Sequence, residues 1–130
     1  MNIVAITMVY NEGATLARWL RHYGSHLGLS NLLLVDHGSD DGSTRDVDGA
    51  GIIRLPRSNF DDIQRADFIS ELQRDLLRYY DAVVYTDCDE IIVPDPAHFS
   101  NLRTYIEEMT EECVRPLALI CYMCETQSRD

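Results

Sequence analysis

Apolar residues run through this chain in two rhythms. Asn2 to Val9 (NIVAITMV), Leu32 to Val35 (LLLV), Gly51 to Leu55 (GIIRL), Ala82 to Thr86 and Leu117 to Met123 are short, nearly continuous apolar runs. Such runs predict strands covered on both faces. Between them, Leu16, Trp19, Leu20, Tyr23 and Leu27 recur at helical spacing, predicting an amphipathic helix that stops near Gly28, with Asn11 as its N-cap. A second helix is expected from Phe60 to Tyr80, with Ile63, Ile69, Leu72, Leu76 and Tyr79 on one face. Phe99, Leu102, Ile106 and Met109 mark a third, capped near Ser100. Strands alternating with helices imply βαβ units: an α/β, Rossmann-like sandwich with a mostly parallel sheet and helices on both faces.

The polar stretches refine that picture. Residues 37–51, HGSDDGSTRDVDGAG, have the composition of turns. Neither G-x-G-x-x-G after the first strand nor G-x-x-x-x-G-K-[ST] is present, which argues against a dinucleotide-type domain and a P-loop enzyme. At 130 residues the chain reads as one domain, 1–130. Its net charge of −11 repels phosphate backbones and anionic lipid, so nucleic acid is not an expected partner. A phosphorylated ligand remains compatible if a divalent cation lies between. No apolar run reaches the ~20 residues of a transmembrane helix, and the N-terminus has no signal-peptide pattern. Cys88, Cys113, Cys121 and Cys124 read as reduced thiols, which with the missing leader leads to a cytoplasmic expectation.

In an open parallel sheet, ligands bind beyond the carboxyl ends of the strands. Strand one delivers Tyr10, Asn11 and Glu12 there, strand two Asp36, His37, Ser39 and Asp40, and strand four Asp87, Asp89 and Glu90. An Asp-x-Asp pair alone carries little weight: with 14 aspartates, about 1.5 pairs arise by chance. Asp46 and Asp48 form another pair, with no strand before them. Position is what raises Asp87 and Asp89. If residues 87–89 stay extended, both side chains point the same way and share one cation. Mg²⁺ or Mn²⁺ would remove their mutual repulsion and accept phosphate oxygens as further ligands. Glu90 reads equally as a surface acid or an outer group, and the Asp36 loop also reads as a turn held by its own side chains. Trp19 and the Tyr79-Tyr80 pair read as core or interface, and His22 with His26 would need a third ligand nearby to hold a metal.

The order VAITMVYNEGATLARWLRHY, LLLVDHGSDDGST, VVYTDCDEIIVPDP resembles the N-terminal half of family 2-type glycosyltransferases with the GT-A fold, over nearly the whole chain. The resemblance implies a nucleoside diphosphate sugar as donor, bordered by the loop from Thr7 to Glu12 (Thr7, Tyr10, Asn11 and Glu12). It implies Asp36 at the base or ribose, Asp87 near the ribose or metal, and Asp89 on the Mn²⁺ or Mg²⁺ that holds the diphosphate. Arg65, Gln73 and Arg74 become candidates for nucleotide contacts. His37 stands where many relatives carry a second acid. The chain stops near where the acceptor-binding half would begin, which would leave a sheet edge uncovered and favour a homo-oligomer.

The expected function is therefore the donor-binding part of a metal-dependent glycosyltransferase, acting on an unknown glycan, lipid or protein acceptor. The rivals are a non-catalytic sugar-nucleotide-binding or interaction module and a nucleotidyltransferase. The last is disfavoured because YNEGATLAR, with one glycine and an acid, replaces a Gly-rich basic loop.

Overall fold

The structure, a computed structural model, describes residues 1–59 and 61–111 in full and 117–121 in backbone. Five strands, β1 (Ile3–Val9), β2 (Leu32–His37), β3 (Gly51–Leu55), β4 (Ala82–Thr86) and β5 (Leu117–Cys121), form one sheet in the order β3-β2-β1-β4-β5. Every neighbouring pair is parallel. Helices α1 (Gly13–Leu27), α2 (Asp62–Leu76) and α3 (Leu102–Glu111) complete the α/β architecture.

The unbroken apolar runs follow from this layering. Alternate residues of β1 face opposite sides: Ile3, Ala5 and Val9 pack with α1 and α3, while Val4, Ile6 and Met8 pack with α2. β4 divides likewise, Ala82 and Val84 to the first side and Val83 and Tyr85 to the second. Trp19 and Tyr23, one helical turn apart, anchor α1 in the first layer with ring centroids 4.9 Å apart.

Several boundaries differ from those the periodicity predicts. α2 ends at Leu76, and Ile63 and Tyr79 are exposed at 72% and 77% rather than on its buried face. Ile63 lies in the first turn and Tyr79 beyond the last, where apolar spacing no longer reports the helix–sheet contact. α3 is capped by Asn101, whose Oδ1 accepts the Thr104 N–H at 2.8 Å, one residue past the expected Ser100. Phe60, Tyr122, Met123 and the thiols of Cys113, Cys121 and Cys124 lie outside the described residues.

The β2–β3 connection does more than reverse the chain. Thr44 is buried within it and Val47 packs on the core, so these 13 residues of turn composition fold back over the first layer. Gly38, just past β2, has φ +78°, and a Cβ there would meet the Arg57 backbone nitrogen at 2.7 Å. Gly38→Ala is expected to lose about 2 kcal/mol, since a positive φ and a backbone clash act together. Gly13→Ala, with ordinary φ and 3.5 Å to its nearest neighbour, is the control. Equal urea midpoints for the two variants would contradict the account.

Candidate functional site

The strand order reverses between β1 and β4, which opens a crevice at their carboxyl ends. From β4 the chain does not remain extended, as the same-side argument for Asp87 and Asp89 supposed. The Glu90 N–H donates to the Asp87 carbonyl at 3.0 Å, closing a turn. Cys88 points into the core and Asp89 outward. The turn nevertheless gathers acids: Asp87, Asp89 and Glu90 each place a carboxylate oxygen within 4.8 Å of the others. Burial, then the Asp87 and Asp89 charges, push the Glu90 carboxyl up to about 7. Burial raises the Cys88 thiol to about 12, so it stays protonated and unreactive.

α1 fixes the far side of this turn. Along one face, Trp19 Nε1–H donates to Thr86 Oγ1 at 2.8 Å, and Tyr23 O–H donates to the Glu90 carbonyl at 3.1 Å. The same hydroxyl accepts the Ile92 N–H at 3.0 Å. His22 Nε2 lies 3.0 Å from the Ile92 carbonyl, and Arg18 reaches the Asp89 carbonyl at 3.4 Å. His22 is thus engaged with backbone, and burial lowers its pKa.

α2 supplies the opposite wall. Asp61 caps it by accepting the Gln64 N–H at 2.9 Å, which starts the helix so that Arg65 lies over β4. Arg65 Nη2 donates to Tyr85 Oη at 2.8 Å and pairs with Asp87 Oδ1, to which the Tyr85 hydroxyl also donates at 3.1 Å. Gln73 is buried and donates to the Val83 carbonyl, and Arg74 is exposed. Of the three α2 candidates, Arg65 is paired with an acid of the turn.

The β1 and β2 ends depart most from expectation. Asn11 does not cap α1; it takes φ +51°, a region asparagine tolerates. Its side chain clasps the next loop instead. Nδ2 donates to Asp40 Oδ1 at 2.9 Å, and Oδ1 accepts the N–H groups of Asp40 and Asp41 at 2.9 and 3.2 Å. Thr7 is fully buried in mid-strand, its hydroxyl without a partner among the described residues.

Asp36 is only 2% exposed, and its carboxylate is spent inside the protein. It accepts from the Ser39 N–H at 2.9 Å, the Thr44 hydroxyl, and Arg54 Nη1 at 3.1 Å. His37 is buried between Arg57, whose Nη1 lies 3.0 Å from Nδ1, and Ser58, whose Oγ lies 3.2 Å from Nε2. Burial, then the Arg57 charge, lower the pKa of the imidazole. Arg57 in turn stacks over the Tyr10 ring, its guanidinium carbon 3.7 Å from the centroid.

Comparison of the sequence with protein-family models and with curated proteins gives no match. The site therefore stands on its geometry.

Two concavities open on the acidic turn, and a third adjoins it through Arg65. One of about 200 Å³ lies between Tyr10, Glu12, His37, Arg57 and Arg65. One of about 460 Å³ lies along Arg65, Tyr85 and Asp87, and one of about 320 Å³ runs from Asn11 and Thr15 to Asp89. A fourth, about 470 Å³, sits between α1 and residues 42–48, away from these acids. Three carboxylate oxygens so placed suit a hard, oxygen-seeking Mg²⁺ or Mn²⁺ that fills its other positions with water or phosphate.

The sequence reading missed Tyr85, Arg57 and the α1 contacts, and left Glu90 undecided. A tyrosine near the end of a buried strand and two residues before an aspartate was a usable signal for Tyr85. Arg57 had none. No described helix is long and apolar enough to cross a membrane.

Proposed function

We propose that this chain is the donor-binding part of a metal-dependent glycosyltransferase of GT-A type. The observation that carries the reading is the convergence of Asp87, Asp89 and Glu90 oxygens within 4.8 Å at the end of β4. The strand-order reversal beside them supports it. Asp87 and Asp89 would hold Mn²⁺ or Mg²⁺, with Glu90 completing the set. The cation would bind the donor's diphosphate and offset charge growing on the nucleoside diphosphate as it leaves. In that transfer the bond from the anomeric carbon to phosphate oxygen breaks and a bond to the acceptor oxygen forms. Tyr10, Asn11 and Glu12 border the nucleotide. Asp36, turned inward, shapes the neighbouring loop instead of touching the nucleoside.

The test is calorimetric titration with a panel of nucleoside diphosphate sugars, with and without Mn²⁺. Binding is expected to require the metal and to fall roughly 100-fold in Asp87→Asn and in Asp89→Asn. Because Asp89 is exposed, its variant separates ligand loss from misfolding. Metal-independent binding, or none to any donor, would sink the proposal. Donor turnover in the presence of acceptors then separates a transferase from a binder.

A further inference from the structure

The Arg65–Asp87 pair poses a conflict. If Asp87 serves a dication, it already holds a guanidinium on Oδ1. Two positive groups on one carboxylate repel each other, and the repulsion is stronger in a partly buried crevice than in water. The pair also lies where exchange is easy. The Arg65 and Asp87 side chains are 35% and 29% exposed, so the guanidinium can leave without opening the core. Asp87 need not move when it goes, because the hydroxyl of buried Tyr85 donates to the same oxygen from the strand below.

Arg65 also has somewhere to go. It lines both the 460 Å³ concavity along Asp87 and the 200 Å³ cavity beside Tyr10 and Arg57. The charged groups facing the smaller cavity are Glu12, Asp61, Asp62, Arg57 and Arg65 itself. Three acids there repel a diphosphate, and Arg57 is engaged with His37 and Tyr10. A guanidinium released from Asp87 supplies the anion-binding fork that this wall otherwise lacks.

We infer that Arg65 is an exchangeable counter-ion, holding Asp87 in the cation-free protein and turning to the diphosphate when a cation takes the carboxylate. The inference rests on the acidic turn being the cation site. It makes cation and diphosphate binding mutually reinforcing, since each arrival removes what opposes the other.

The experiment uses Mn²⁺ alone, then inorganic pyrophosphate at saturating Mn²⁺, on the full chain and on Arg65→Met, which keeps the apolar stem. Mn²⁺ binding is read by paramagnetic resonance and pyrophosphate binding by calorimetry. With the guanidinium gone, Mn²⁺ is expected to bind about tenfold more tightly and pyrophosphate about tenfold more weakly. A merely structural Arg65 would give the opposite sign for the metal. Unchanged or weaker Mn²⁺ binding in Arg65→Met, with Asp87-dependent binding intact in the parent, overturns the exchange alone. Absence of Mn²⁺ binding in both proteins overturns the cation site and the exchange together.

Discussion

Replacing Trp19 by alanine is expected to cost about 4 kcal/mol of folding stability. The indole is fully buried at the centre of the first layer, against Tyr23 and beneath the sheet. Its removal leaves a cavity that a parallel sheet and a packed helix cannot close, and it strands the Thr86 hydroxyl, which accepts the Nε1–H. Against a typical total of about 5–15 kcal/mol for a domain, that is a large share. Urea unfolding should show the loss, and the thermal midpoint should fall by roughly 15 °C. Trp19→Phe keeps most of the packing and loses the hydrogen bond, so about 1–2 kcal/mol is expected. Tyr79→Ala, at a ring 77% exposed, should stay within about 0.5 kcal/mol of the parent. Similar losses for Trp19→Ala and Tyr79→Ala would contradict this arrangement of the core.

Asp36→Ala is expected to cost about 3 kcal/mol at neutral pH, and part of that loss should vanish in acid. The variant leaves the Ser39 N–H and the Thr44 O–H without their acceptor and takes from Arg54 its anionic partner, while the Arg54 bonds to Thr44 remain. Breaking a buried pair costs about 3–5 kcal/mol. The lower end applies because Arg54 is 56% exposed and water can take its charge.

The pH dependence follows from opposing influences on Asp36. Burial raises its pKa, but hydrogen bonds from Thr44 and Ser39 and the Arg54 charge outweigh burial and hold it below the ordinary value. A carboxyl depressed in the folded state stabilises the protein above its unfolded pKa of about 3.9. That contribution is lost as pH falls from there through the folded value. Parent and variant should therefore differ most in urea midpoint at pH 7, and the gap should narrow as pH falls from about 4 through the folded value. A constant gap across that range would show that the carboxylate's charge is not the source.

The sequence exposed much of the framework because apolar rhythm reports burial, and burial is what a doubly covered sheet demands. β1, β4 and the buried face of α1 were legible for that reason. So was the sheet edge on which Asp87 and Asp89 lie. What escaped was decided by polar side chains acting across long separations. Asn11 resembles a helix cap in sequence, yet its amide is claimed by Asp40 and Asp41, about 30 residues on in the chain. Asp36 was legible as a polar group at a strand end, and its residue type could not show whether it faced a ligand or Arg54. The register that sets Arg54 directly beside it decides the matter. The turn at Asp87 brings in Glu90, which an extended reading kept apart, because one backbone hydrogen bond alters where the third acid points.

The contacts from α1 have a consequence for where the acidic turn is written in the chain. Arg18, Trp19, His22 and Tyr23 hold the backbone or side chains of residues 86–92 across separations of 67 to 71 residues. The shape of the turn is thus encoded twice: once in its own residues, and once on a helix near the other end of the described chain. Two proteins could share the letters around Asp87 and still present different acid geometries if that helix face differed. Kinship at this site is better judged by the two segments together than by the short acidic motif.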